Sequence, residues 1–446
     1  MKKRHIFFGV VALLAVGVGA AAYVISPTVH PGQSGEAPEL GRTGEYSIGT
    51  VEKEYVLPDR TTITAWGALT GDLDSKERKL SVRIWYPAQE TSDAAPVKYG
   101  HQMNLAGKDP FDIISNGIAV SGATALTDEK FPFVLMSHGY GGWSTQFSNL
   151  GEHIASRGYV VASIDHGDQL ADGVTSAILS FGNVLVDRTL DQRQIMNLIL
   201  EETKGASSGY AALIDTEKLG LIGYSMGGYG AIASAGAPYV FDSDLMSNIP
   251  ETAQNSLREA TTEPLPIKAM ITFAPWGGQP DNRVWSAETL GNINIPALII
   301  SGNQDDIVNY DEGVTWLFDH MKNSDRYMLT YREARHNIVG NAFETSDEMI
   351  FSALEFLKEP VWRSDRLNAI NQHFATAFLD WKLKGENDRA SYLNVPTVDS
   401  NKADWPVGFG EQLNGKLAGP EQDGYWRGFQ RRWAAGLEMQ HADAGK

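Results

Sequence analysis

The residues with the most chemical content lie between Leu219 and Gly228, where Gly223-Tyr224-Ser225-Met226-Gly227 fits G-x-S-x-G. That spacing puts a serine on a sharp strand-to-helix turn with its oxygen exposed, and the glycines let neighbouring backbone approach it. A serine hydroxyl alone is a weak nucleophile at neutral pH. It needs a base within hydrogen-bond reach and a carboxylate to orient that base. Where the serine sits on such a strand-to-helix elbow, the acid follows the serine in the chain and the histidine follows the acid. Ser225 is therefore the candidate nucleophile and His336, just past the last predicted strand, the candidate base; His320, His373 and His441 are less well placed. Asp305 and Asp306 both follow the preceding predicted strand. A glycine three residues ahead, Gly302, favours Asp305, and Asp306 stays open as the competitor, its other role being to cap a helix starting near Val308.

The same chemistry needs two backbone N–H groups aimed at a developing oxyanion. Met226, directly after the nucleophile, supplies one. The other falls to Tyr140 in Ser137-His138-Gly139-Tyr140-Gly141-Gly142, after an earlier strand. His138 is read as holding that loop. Asp165-His166-Gly167-Asp168 is read as a strand-end turn, with no metal expected there or elsewhere. Arg188 and Asp191, at i, i+3 helical spacing, are read as an ordinary surface pair.

The elements that must position these groups are visible as patterns. Apolar runs at Phe131–Met136, Tyr159–Ile164, Leu219–Ile222, Ala269–Phe273, Ala297–Ile300 and Tyr327–Tyr331 read as buried strands, and Leu80–Pro87 as an alternating one. Strands are also expected near Val51–Leu57 and Thr61–Trp66. Helical spacing falls between the runs, at Phe147–Ser156, Arg188–Glu202, Met349–Leu357 and Ser364–Leu383. The fold class is therefore α/β, a mainly parallel sheet with helices on both faces. Each candidate group sits just past the C-terminal end of a strand, where sites form in such sheets.

Composition bounds the rest. The formal net charge is −18, which argues against nucleic acid as a partner. There are no cysteines, so thiol nucleophiles and disulfides are excluded. Residues 1–26 combine a basic start (Lys2, Lys3, Arg4) with an uncharged apolar run of about 20 residues. Ala20-Ala21-Ala22 offers a cleavage site, so the segment reads as a signal peptide or, uncleaved, as an anchor and the sole membrane contact. Either reading exports the remainder of the chain, to the periplasm or beyond. Residues 27–50 read as a flexible linker, 51–390 as the catalytic domain with a candidate lid at 239–266, and 391–446 as an extension packed on it. Trp405, Trp426, Phe429 and Trp433 argue against a disordered tail.

Taken together, Val82-Arg83-Ile84-Trp85-Tyr86-Pro87, Ser137-His138-Gly139-Tyr140-Gly141, Asp165-His166-Gly167-Asp168, the serine motif and Gly302 to Val308 resemble the α/β-hydrolase superfamily. The likeness is to its platelet-activating-factor acetylhydrolase and dienelactone-hydrolase-like group. True dienelactone hydrolases carry a cysteine where Ser225 stands. The serine motif with Ala274-Pro275-Trp276 is also similar to cutinase-like polyester hydrolases, without their disulfide cysteines. That second resemblance implies that Trp276, with Tyr140, lines a substrate cleft; plain packing is the other role open to Trp276. The expected activity is hydrolysis of small carboxylic esters through Ser225, His336 and Asp305, without a cofactor. Amide or peptide hydrolysis by the same three residues is the alternative.

Overall fold

Runs that are apolar at every position cannot leave one face in water, and in the computed structural model they become the interior strands of one sheet. The structure describes residues 36–446 except 72, 92–93, 104–109, 128, 169–173, 343–350, 406–415 and 420–423. The expected signal or anchor at 1–26 lies outside the described residues, as does part of the linker.

The strands are β1 (Ser47–Thr62), β2 (Asp74–Ala88), β3 (Lys98–Met103), β4 (Phe111–Asn116), β5 (Val120–Ser121), β6 (Phe131–Ser137), β7 (Val160–Asp165), β8 (Ile214–Tyr224), β9 (Ala269–Phe273), β10 (Ala297–Gly302), β11 (Arg326–Tyr331) and β12 (Leu437–Ala442). The main sheet has 10 strands in the order β12-β11-β10-β9-β8-β6-β7-β2-β1-β5. From β11 across to β7 all neighbours are parallel, while β12, β2 and β1 join antiparallel. β3 and β4 form a separate two-stranded sheet. The longer helices are α1 (Ser148–Ser156), α2 (Val174–Thr203), α3 (Met226–Ser234), α4 (Glu251–Ala260), α5 (Phe351–Leu357) and α6 (Ser364–Leu379).

β8 is the central strand. Leu219, Leu221 and Ile222 are buried between β6 and β9, each contributing roughly 1.5–3 kcal/mol. In the parallel register Ser137 pairs with Gly223, and Tyr224 with Phe273. The loops leaving β6, β8 and β9 thus emerge side by side.

Several expectations need correction. Thr61–Trp66 is not a second strand: β1 runs unbroken to Thr62, with an irregularity between Leu57 and Arg60, and a helix starts at Ala65. Residues 36–50 are not a free spacer. Leu40 is buried, its N–H donates to His373 Nδ1 at 3.1 Å, and Glu39 N donates to Gly428 O at 2.8 Å. A Cβ at Gly41 would lie 2.4 Å from Ala369 O, so this segment is pressed against α6. The 391–446 segment does more than pack on the domain. Trp426 and Phe429 lie against Phe374 of α6, and β12 extends the sheet beside β11. The 239–266 segment, offered as a lid, carries α4, which buries Ala253 and Leu257 in the core, and Tyr239 bonds Thr189 of α2 at 2.6 Å.

Candidate active site

Ser225 sits between β8 and α3 at φ 50° and ψ −113°, a backbone conformation strained for any residue with a Cβ. The surrounding contacts hold it there. Ser225 N donates to Phe273 O at 2.9 Å, and Ser225 O accepts from Tyr229 N at 3.0 Å and Trp276 N at 3.2 Å. The motif glycines are required by contact. A Cβ on Gly223 would lie 2.2 Å from Gly227 O, and one on Gly227 would lie 2.0 Å from Ser137 O. The start of α3 is therefore pressed onto the loop after β6.

His336 Nε2 lies 3.0 Å from Ser225 Oγ, and its Nδ1 lies 2.7 Å from Asp305 Oδ2. A carboxylate accepts, so Nδ1 carries the proton and Nε2 is left to accept from the serine. The other Asp305 oxygen, Oδ1, accepts from Ile307 N (3.0 Å) and Val308 N (3.1 Å), which orients the carboxylate. The loops after β10 and β11 are interlocked: a Cβ on Gly302 would meet Ala334 O at 2.2 Å, and Gln304 N donates to Ala334 O at 2.9 Å. Asp306 faces away, exposed, and pairs with Arg335 at 2.7 Å. It touches neither His336 nor the serine, and the turn it was expected to cap is capped by Asp305. Of the other histidines, His320 bonds Trp316 O (2.7 Å), His373 is buried under the N-terminal segment, and His441 pairs with Asp325 (2.8 Å).

Tyr140 follows Gly139, whose own Cβ position would be 3.2 Å from Ser225 Cβ, so this loop lies against the serine. Met226 is the first residue of α3, and the first-turn N–H groups of a helix have no intrahelical acceptor. The Tyr140 ring packs edge-on to Phe181 (5.9 Å), and Phe181 edge-on to Trp276 (5.3 Å). Trp276 keeps only 7% of its surface, so it serves as the inner end of an aromatic wall whose half-buried members are Tyr140 and Phe181. Phe181 gave no sign in the sequence. Tyr224 tilts under the His336 ring at 5.2 Å, and burial together with Asp305 keeps its hydroxyl protonated.

Behind the Tyr140 loop the structure holds what sequence reasoning missed. Arg188 and Asp191 are not a surface pair: both are buried, and neither bonds the other. Arg188 Nη2 binds Asp168 Oδ2 at 2.5 Å. Asp191 binds Arg60 (2.6 Å), Arg78 (2.8 Å) and His166 Nδ1 (2.8 Å). Burial pushes the Asp191 carboxyl up, but Arg60 and Arg78 hold it far below the usual carboxylate range. Asp168 likewise stays ionised, burial being outweighed by Arg188. His138 Nε2 accepts from His166 N (3.0 Å) and its Nδ1 faces Gly139 O (2.7 Å), so it is the neutral Nδ1–H tautomer. Burial and Arg188 lower the pKa of both His138 and His166. The donors of Asp165-His166-Gly167-Asp168 are thus taken by protein groups. Among the described residues the grouping suited to a cation is Asp325, His441 and Asp443, where β11 begins and β12 ends, with Lys382 and Lys446 already on its carboxylates.

Three family models match successive stretches: platelet-activating factor acetylhydrolase isoform II over residues 43–181, PET hydrolase-like over 117–256, and the prolyl oligopeptidase family over 202–361. Cutinase 2 of Thermobifida cellulosilytica is 29% identical over 175 residues, 39% of this chain and 48% of that protein. Cutinase cut1 of Thermobifida fusca is 29% identical over 39% of each chain. The chain thus spans at most about half the length of these relatives. Platelet-activating factor acetylhydrolase of Cavia porcellus is 40% identical over 45 residues. Among solved structures, a ferulic acid esterase from Streptomyces cinnamoneus superposes with a TM-score of 0.51 at 20% identity, covering 78% of this chain and 94% of that one, which bears on fold. With the parallel sheet, the strand order and these matches in hand, the chain has the α/β-hydrolase fold and carries stretches similar to platelet-activating factor acetylhydrolases and to cutinases.

Proposed function

We propose that the protein is an exported serine hydrolase that cleaves carboxylic esters through an acyl-enzyme. The observation that carries this reading is one unbroken hydrogen-bonded series, Ser225 Oγ to His336 to Asp305, at the C-terminal ends of β8, β11 and β10. Ser225 Oγ attacks the ester carbonyl carbon while His336 Nε2 takes its proton. Asp305 holds the ring and stabilises the imidazolium. The tetrahedral oxygen is held by the N–H groups of Tyr140 and Met226. His336 returns the proton to the leaving alkoxide, and a water activated by the same imidazole then releases the acid. No step calls on a metal or cofactor. The aromatic wall of Tyr140, Phe181 and Trp276 contacts the apolar part of the ester.

Turnover of p-nitrophenyl acetate by the wild type, abolished in Ser225→Ala, is the expected result; equal rates would end the proposal. The PET hydrolase-like match over 117–256 spans Tyr140, Ser225 and Met226 and favours including an aromatic polyester in the substrate panel. The prolyl oligopeptidase match over 202–361 spans Ser225, Asp305 and His336 and keeps peptide hydrolysis as a second reading. Peptide turnover without ester turnover would select it. Export rests on the basic, then apolar, start of the chain, and N-terminal sequencing of the extracytoplasmic protein tests it.

A further inference from the structure

We propose that the buried Arg188–Asp168 pair is a positioning device that sets the orientation of the Gly139–Tyr140 peptide and thereby aims the Tyr140 N–H at the oxyanion. The inference rests on the serine-hydrolase reading above and adds to it the residues that hold the oxyanion hole open.

The geometry is a closed ring. Arg188 Nη2 donates to Gly139 O at 3.2 Å and to Asp168 Oδ2 at 2.5 Å, and the same Asp168 oxygen accepts from Gly141 N at 3.0 Å. One nitrogen and one oxygen thus grip the peptides on either side of Tyr140. Gly139 O has two more donors, His138 Nδ1 at 2.7 Å and Gly142 N at 3.2 Å. In a trans peptide the C=O and N–H point in opposite directions. With Gly139 O fixed toward the interior, the Tyr140 N–H must face the other way, toward the Ser225 side on which Gly139 packs. The next peptide is the one that flips between the two common four-residue turns. Gly141 has φ 69°, as the second type demands at its third residue, and Asp168 holds its N–H in that state.

A purely structural role explains this pair poorly. Its side chains keep 1% and 3% of their surface, and Arg188 Nε has no hydrogen-bond partner among the described residues. A buried ion pair of that kind is often replaced by neutral groups with no loss of stability. A cost retained in the fold, immediately behind two peptides next to the nucleophile, points to orientation as its use.

The test uses the full-length protein and the double variant Arg188→Met/Asp168→Asn, which removes both charges and leaves no buried ion unpaired. The expected result is a melting temperature close to wild type, kcat for p-nitrophenyl acetate lowered about 10²-fold, and KM within about twofold, the signature of a lost transition-state contact. Affinity for phenylboronic acid, which forms a tetrahedral adduct on a serine, falls with kcat. Arg188→Lys, which keeps a cation near Gly139 O, recovers part of the loss. Amide hydrogen exchange at Gly141 is read independently of turnover and is expected to rise at least tenfold, with β6 unchanged. Wild-type kcat and exchange in the folded double variant, or a kcat loss that only follows unfolding, would overturn the proposal. Faster Gly141 exchange in the variant, together with a Ser225→Ala protein as active as wild type, would leave the clamp standing and remove the hydrolase reading instead.

Discussion

Two charged assemblies flank the loop Ser137–Gly142, and they are built on opposite terms. In front, Ser225, His336 and Asp305 form a series open to solvent at one end, with His336 keeping 14% of its side-chain surface. Behind, Arg60, Arg78 and Arg188 meet Asp168, Asp187 and Asp191 around two neutral histidines, almost wholly out of water. In the proposed chemistry the front series exchanges protons through His336, the member that keeps exposed surface, while Ser225 and Asp305 are buried on either side of it. The rear assembly balances its charges internally, three arginines against three aspartates. Burial alone does not tell the two apart, since Asp305 is as buried as Asp191; what differs is that the front series is exposed at an imidazole edge and the rear ends on backbone.

Breaking the front should cost activity with little cost in stability. Ser225→Ala is expected to lower kcat on the order of 10⁵-fold, read with p-nitrophenyl acetate, and to leave the melting temperature close to wild type, because alanine keeps the Cβ and the backbone conformation of the position. Asp305→Asn is expected to lower kcat about 10⁴-fold by allowing the wrong imidazole tautomer, while Asp306→Asn stays within about twofold. A large effect at Asp306 would erase the distinction drawn between the neighbours.

Breaking the Arg60–Arg78–Asp191 part of the rear, which does not touch the Tyr140 peptides, should do the reverse. Asp191→Ala leaves Arg60 and Arg78 with Asp187 as their one remaining shared carboxylate among the described residues, removes the partner of His166 Nδ1, and should cost about 3–5 kcal/mol in denaturant unfolding. Retained stability would mean that water reaches the assembly. A smaller effect concerns acid. His153 and His373 are buried, and burial with the nearby Arg157 lowers both to about 3. Their stabilisation is present above the unfolded value of about 6.5 and is lost as pH falls below it. At pH 5 each costs about 2 kcal/mol relative to pH 7. Asp187 acts in the opposite sense: burial and Asp191 push it up to about 6, so acid relieves it. Unfolding free energies at pH 7 and pH 5 should differ in the direction of net acid destabilisation.

The front was legible in the sequence and the rear was not, for physical reasons. Close backbone approach forces glycine, so Gly223, Gly227, Gly139 and Gly302 advertise where loops touch. Continuous apolar runs fix the central strands, and β9 spans Ala269–Phe273 as expected. Arg188 and Asp191 carry no such marker, because i, i+3 spacing says that two residues share a helix face but not whether that face is buried. A signal was available. Leu185, Arg188, Gln192, Ile195 and Ile199 recur at helical spacing and are all buried, whereas Leu198 is 36% exposed. An arginine within an apolar stripe needs an internal partner, and its partner Asp168 is remote in sequence. β12 escapes a sequence reading because Leu437-Glu438-Met439-Gln440 alternates over too few residues to stand out, and its place is decided by the free edge of β11. The 36–41 segment reads as a spacer because the glycine and proline that suggest one also permit close packing on α6.

The central claim is that one nucleophile and two backbone donors converge. The most direct measurement is a crystal structure of the protein after reaction with a fluorophosphonate. The account predicts a phosphorus bonded to Ser225 Oγ, with its oxygen about 2.7–3.1 Å from both Tyr140 N and Met226 N. Labelling at another residue, or an adduct at Ser225 whose oxygen turns away from the Tyr140 N–H, would contradict it.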